Sequence, residues 1–162
     1  MITQKLISET FEYKDGLLYW KKPTHSNKLH LIGTQAGSIH KTGYRHITWM
    51  NKVNKAHRLI FLLIHGYLPK EIDHINGDRS DNRIENLREV TRSQNQYNKK
   101  PQLNRSGIRN VSWHKKSKAW LIRLTMKGKV VFNHYVKDLE LAELIAIEAR
   151  HKFFGEFNFQ GK

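Results

Sequence analysis

The 162-residue chain contains no cysteine, which excludes a disulfide framework and any zinc site with thiolate ligands. Its longest unbroken apolar run is Leu59–Ile64, far short of the ~20 residues that a membrane-spanning helix requires. The opening residues, MITQKLISETFEYK, lack the apolar core of a secretory signal. The expectation is a soluble intracellular protein that makes no use of a membrane. Acid is the other shortage: 14 Asp plus Glu stand against 29 Lys plus Arg, a formal charge of +15. Such a surplus favours a polyanionic partner, most simply nucleic acid, though by charge alone an anionic membrane surface would also attract it.

What acid there is gathers in one place. Residues 1–70 carry eleven basic and three acidic residues, and residues 101–162 carry twelve and five. Between them, residues 71–100 carry six of each. Within the last block, 101–137 holds nine Lys or Arg and no acid at all. Carboxylates concentrated where the chain otherwise avoids them suggest a metal or catalytic site set between two basic flanks.

Turn and cap signals divide the chain into short elements. Residues 12–20 read as a hairpin turning at Asp15-Gly16, and 33–56 as short strands punctuated by Gly33, Gly37 and Gly43. A helix is predicted over 57–69, stopped at Gly66 with Pro69 beyond. Two short stretches, 72–74 and 87–90, flank the turn-rich NGDRSDN. Thr91 and Gln94 form a capping box for a helix ending near Asn98 or Lys99. The polar KKPQLNRSG, 99–107, reads as a linker. Beyond it, strands over 110–115, 119–125 and 129–135 precede a helix capped by Asp138 and ended by Gly155. Its apolar residues Leu139, Ala142, Ile145, Ala149 and Phe153 recur at roughly helical spacing. Alternation turns Val111, Trp113, Trp120, Ile122, Leu124, Val130 and Phe132 toward that helix. The other face then presents Asn110, Ser112, His114, Leu121, Arg123, Thr125, Lys129 and Asn133.

The densest chemistry lies in EIDHINGDRSDNRIENLREVTRSQNQ, residues 71–96. Asp73-His74, I-N-G-D at 75–78, D-N-R at 81–83, E-N-L-R at 85–88 and Asn95 together resemble the HNH endonuclease family, in its phage and intron-encoded homing branch. The lead-ins A-H-R-L-I-F (56–61), H-G-Y-L-P (65–69) and G-Y-R-H-I (43–47) extend the resemblance over roughly 12–98. A histidine with a pKa near ~6.5 is suited to activating water, and carboxylate and amide oxygens are hard ligands for Mg²⁺ or Mn²⁺. Neighbours on a strand point to opposite faces, so local twist or a bulge must bring Asp73 and His74 to one site. The resemblance implies that Asp73 and Asn95 bind one divalent metal ion, Mg²⁺ or Mn²⁺. It makes His74 the general base, with Asn86 bracing the loop between the strands and helping to fix His74. His57 is expected to be a buried structural histidine.

Residues 106–155 resemble the plant ethylene-response-factor type of DNA-binding domain. The features are G-I-R-N-V-S-W at 107–113, Lys118-Ala119-Trp120, G-K at 128–129 and an Ala-rich helix ending in F-F-G. The first strand carries fewer arginines than the plant pattern. The DNA contacts expected across the chain are Arg45, Arg88, Arg92, Arg109, Ser112, His114, Arg123, Lys127 and Lys129.

The fold expected is α+β: N-terminal β-strands with a ββα-metal nuclease body, then a three-stranded antiparallel sheet packed on one helix. The segments are a β-rich DNA-contacting 1–56, a nuclease core 57–98, a linker 99–106 and a DNA-binding domain 107–162. The resemblance implies a metal-dependent phosphodiester hydrolase of the phage homing type. It would nick one strand of double-stranded DNA as a monomer, leaving 5′-phosphate and 3′-hydroxyl ends, with no small-molecule cofactor. Its place of work would be the cytoplasm of a phage-infected bacterium. The alternatives are a DNA-binding regulator whose nuclease fold is catalytically silent and an RNA-binding or splicing-associated factor.

Overall fold

The computed structural model describes residues 2–22, 26–97 and 104–155. The expected helix end at 98–99 and most of the expected linker lie outside those residues. The described residues form a mixed α+β structure of small sheets and four α-helices, and the chain divides into two compact units, 1–92 and 93–162.

The first unit opens with α1 (Gln4–Thr10), which the sequence pattern had not revealed. The Thr3 hydroxyl caps it, accepting from the Leu6 amide at 3.3 Å. Strands β1 (Phe11–Lys14) and β2 (Leu17–Trp20) pair antiparallel. Both turn residues, Asp15 (φ 49°) and Gly16 (φ 81°), are left-handed, the conformation that a two-residue hairpin loop demands. Strands β3 (Ser38–Ile39), β4 (Arg45–Trp49) and β5 (Lys52–Lys55) form a second antiparallel sheet. Helix α2 (Ala56–His65) follows directly and ends at Gly66 (φ 77°), whose amide donates to the Leu62 carbonyl at 3.0 Å. Strands β6 (Glu71–His74) and β7 (Leu87–Val90) pair antiparallel around a loop that includes a 3-10 turn, Ile84–Asn86.

One core joins α1, the β1–β2 hairpin, β4, α2 and the last ribbon. Ile7, Phe11, Leu18, Ile47, Trp49 and Ile60 are essentially inaccessible, and Ile72 and Leu87 join them from the last ribbon. A two-stranded ribbon is marginal by itself in water. Packing Ile72 and Leu87 into the shared core is what gives β6 and β7 a fixed place.

Helix α3 (Arg92–Tyr97) begins at the boundary between the units. In the second unit β8 (Val111–His114), β9 (Ala119–Met126) and β10 (Lys129–Val136) form an antiparallel sheet in the order β10-β9-β8. Helix α4 (Leu139–Phe154) packs on it, capped by the Asp138 carboxylate, which accepts from the Leu141 amide at 2.7 Å. Ala142, Ala146 and Ala149 face Val111, Ile122 and Leu124, all buried. Among the described residues of this unit, all four acids (Asp138, Glu140, Glu143, Glu148) lie on or at the cap of α4.

Simple alternation fails in two places. The register of β10 slips between Val130 and Phe132, pairing Val130 with Thr125 and Phe132 with Leu124. This bulge reverses the facing of everything nearer the turn. Val130 therefore shares the outer face with Thr125 and is 45% exposed, not turned toward the helix, while Lys129 pairs with Met126. Trp113 does stand opposite Trp120, but it too is 45% exposed, meeting that ring edge-on at 5.0 Å.

Two left-handed glycines before β4 offer a comparison. A Cβ at Gly37 (φ 76°) would strike the His46 carbonyl and the Ile47 side chain, whereas one at Gly33 (φ 79°) would meet nothing. Gly33→Ala should cost the left-handed strain alone, roughly 1–2 kcal/mol. Gly37→Ala should cost roughly 1–3 kcal/mol more through overpacking. Urea midpoints of the two variants check this, and equal losses would show that the His46 carbonyl is not the obstacle.

Candidate active site

Strands β6 and β7 set Asp73 opposite Arg88 and His74 opposite Leu87. Asp73 and His74 are 7% and 4% exposed. A buried carboxylate needs a partner, because an uncompensated charge in the interior is costly. Arg88 supplies one: its Nε and Nη2 both donate to Asp73 Oδ2, at 3.0 and 2.9 Å. Arg88 was expected among the DNA contacts; the structure shows it bound to Asp73.

His74 turns to other company. Its Nε2 lies 3.1 Å from Asn82 Oδ1, and the amide of Asn82 donates from Nδ2 to the Ser80 carbonyl at 3.2 Å. That second bond fixes which end of the amide faces the imidazole. Nε2 must then carry the proton, which leaves the lone pair on Nδ1. Burial holds His74 below the usual histidine pKa, against the opposing pull of the Asn82 bond and of the Asp73, Asp78 and Asp81 carboxylates. The ring is thereby kept neutral at physiological pH, the state a base requires. The His57 ring stands edge-on to it at 5.0 Å, and the Tyr44 ring lies 5.9 Å away.

Asn86 braces the loop. Its Oδ1 accepts from the Asn76 amide at 3.0 Å, while Nδ2 donates to Asn76 Oδ1 at 3.0 Å and to the Asp81 carbonyl at 2.7 Å. Asn76 in turn donates to Asp81 Oδ2 at 2.8 Å, and Arg83 grips both Asp81 oxygens at 2.9 and 2.7 Å. These bonds, Arg83 foremost, bring the Asp81 carboxyl down to about 2. Asn86 therefore acts on the loop, and Asn82 is the amide on the imidazole. The D-N-R triplet was the only sign of Asn82 in the sequence, and it carried no role.

The remaining expected residues lie on other elements. Asn95 is half-buried on α3, in the second unit, and Arg92 is exposed at that helix's start. Arg45 Nη1 donates to the Gly37 carbonyl at 2.7 Å. Arg109 is half-buried beside Arg150, whose Nη1 donates to the Arg109 carbonyl at 2.9 Å. Burial first and Arg150 second hold Arg109 below the usual guanidinium range. Ser112, His114 and Arg123 share the outer face of the second unit's sheet. Lys127 (φ 49°) sits in the β9–β10 turn, beside Lys129. Among the described residues no group of three or more His, Asp or Glu gathers as a metal cage. Asp73 and an amide oxygen are nonetheless hard donors, suited by chemistry to Mg²⁺ or Mn²⁺.

Residues 54–97, which span β6, the loop and β7, match the HNH endonuclease family. The chain is 31% identical over 111 residues to "Protein 3.8" of Escherichia phage T7, covering 65% of this chain and 89% of that one. It is also 32% identical over 126 residues to the "Uncharacterized HNH endonuclease L560" of Acanthamoeba polyphaga mimivirus. That alignment covers 72% of this chain and 62% of its relative. No solved structure matches the chain.

His57 offers a pH test of this interior. Burial, then the charges of His74, Lys55, Arg58 and His46, lower it to about 3. The unfolded chain binds a proton there below pH ~6.5 that the folded chain refuses. Stability from His57 is therefore whole above pH ~6.5 and falls as pH drops toward 3. Between pH 7 and 5 the loss should be about 2 kcal/mol, and His57→Phe should remove that share of it. Urea titrations at the two pH values decide; an unchanged slope in the variant would mean that another group titrates.

Proposed function

This chain belongs to the HNH endonuclease family, and on that premise we propose that it is a metal-dependent endonuclease of double-stranded DNA. The observation that carries the proposal is the pair Asp73 and His74 on β6, both buried, with His74 Nε2 held by Asn82. That bond aims a basic Nδ1 and spends the other nitrogen as a donor. Hydrolysis of a phosphodiester needs a water deprotonated at the moment of attack. His74 Nδ1 takes that proton, and Asn82 Oδ1 stabilises the imidazolium that results.

Asp73 and Asn95 are the proposed ligands for Mg²⁺ or Mn²⁺, by their donor chemistry and by the family's pattern. When bound, such an ion supplies charge neutralisation at the phosphate and at the departing 3′ oxygen. The outer face of the second unit's sheet, with Ser112, His114 and Arg123, is the proposed DNA-binding surface, joined by Lys127 and Lys129 at the turn. The products would be 5′-phosphate and 3′-hydroxyl ends. One Asp73-His74 pair handles one strand at a time, so a strand-specific nick by a monomer is the main event we propose. The homing role and the phage-infected host cell belong to the same proposal. It is supported by the match to the family and by the viral relatives.

His74→Ala should slow the chemical step by ~10²-fold or more while leaving DNA affinity nearly unchanged. Single-turnover cleavage of supercoiled plasmid in Mg²⁺ measures it, with open circles rising before linear DNA. Comparable rates in the variant would remove His74 from the mechanism. A second expectation needs no cleavage. Arg88→Ala strips a buried carboxylate of its guanidinium and should cost about 3–5 kcal/mol. A cation bound at Asp73 would offset part of that loss. Mg²⁺ should therefore raise the melting temperature of the variant more than that of the parent. No such difference would take Asp73 out of the ligand set.

A further inference from the structure

Tyr44 sits where three parts of the first unit meet. Its ring lies 5.2 Å from His57 and 5.9 Å from His74, centre to centre. Two cations lie over the same ring: Lys55 Nζ at 4.4 Å and the Arg79 guanidinium at 5.0 Å from its centre. Each is attracted by the ring's negative face. Among the described residues no carboxylate pairs with either one.

Neither cation is a loose surface charge. Lys55 is the last residue of β5 and the first cap of α2, opposite His46 in the sheet, so its backbone is fixed from both sides. Arg79 belongs to the loop that Asn86, Asn76 and Asp81 hold together. Its Nη1 donates to the Thr42 carbonyl at 3.0 Å. Gly43 (φ 85°) lies beside it: a Cβ there would stand at ordinary contact distance from the Arg79 Cβ and Cδ, 3.6 and 3.7 Å. Two positive charges drawn to one ring repel each other, and an anion between or beside them relieves that repulsion. Both side chains remain exposed, so the anion can come from solvent.

We propose that Lys55 and Arg79, arrayed on Tyr44, are a clamp for the nucleic-acid backbone. It would hold phosphates that flank the one presented to His74. The inference rests on the endonuclease reading for its ligand, and it adds to that reading the residues that seat the strand. Tyr44 is a positioning residue here. Its ring holds two cations at the edge of the site, and its hydroxyl has no part in the clamp.

The test uses the full chain and a labelled, randomised-sequence DNA duplex, titrated across a range of salt concentrations in EDTA. Lys55→Gln and Arg79→Gln should each weaken binding several-fold and flatten the log-affinity against log-salt slope by about 1. Tyr44→Leu should weaken binding, whereas Tyr44→Phe, which keeps the ring, should bind as the parent does. Lys152→Gln, an exposed lysine on α4, which packs on the sheet face opposite the proposed DNA surface, should leave both affinity and slope in place. With supercoiled plasmid and Mg²⁺, the clamp variants should show a raised KM and a preserved kcat. Slopes unchanged in both Gln variants, equal flattening by Lys152→Gln, or a Tyr44→Phe as weak as Tyr44→Leu would each overturn the clamp. A parent that cleaves no DNA while the slopes shift as expected would overturn the endonuclease reading and support the clamp. Cleavage with unchanged slopes would do the reverse.

Discussion

Everything at the candidate site depends on one loop keeping its shape between two strands too short to hold it. Strands β6 and β7 have four residues each, and a ribbon of that size does not stand alone. The Asn86 amide closes the loop across its base by reaching Asn76 and Asp81. With that brace in place, Ser80 can orient Asn82, and Asn82 can orient His74. Backbone amides would serve in a regular element, but a loop has few regular partners, and side-chain amides take over that work. The abundance of asparagine in this stretch thus has a structural cause as well as a chemical one.

A second constraint is the burial of charge. Asp73 is as inaccessible as the apolar residues around it, and Arg88 is the cation that makes this tolerable. His57 and His74 are the converse case. They are buried as neutral rings, and each is held below its ordinary pKa chiefly by desolvation. Alternating charged and neutral groups lets a polar site sit against the hydrophobic core formed by Ile72, Leu87 and Ile60 without one group destabilising the next. The same arrangement fixes the protonation state of the proposed base before any substrate arrives.

Much of this was legible in the residue order. Gly66, Asp15-Gly16 and Asp138 each carry a local signal strong enough to mark an element's edge, and each edge is where that signal put it. The hidden features have physical reasons for being hidden. Helix α1 is a single seven-residue stretch held largely by packing on α2, and so short a helix gives little periodicity to read. The bulge in β10 is invisible to alternation because alternation assumes that no residue is skipped. The pairing of Arg88 with Asp73 was hidden because only the cross-strand register brings the two together. Asn82 stood inside a recognised motif, yet its bond to His74 spans a turn whose path the sequence does not specify.

The separation of charge in the second unit has an effect beyond contact. Among the described residues the acids lie on the helix side, where they outnumber Arg150 and Lys152. The basic residues of 105–137 lie on the strands, turns and loops. The unit is therefore an electric dipole as well as a net cation. A polyanion exerts a torque on such a body as well as a pull, turning the sheet forward and the helix away. At physiological ionic strength the field is screened over ~8 Å, so this alignment acts only in the last step of approach. Within that distance, collisions that begin with the helix foremost can be corrected by rotation before separation, and fewer encounters are wasted.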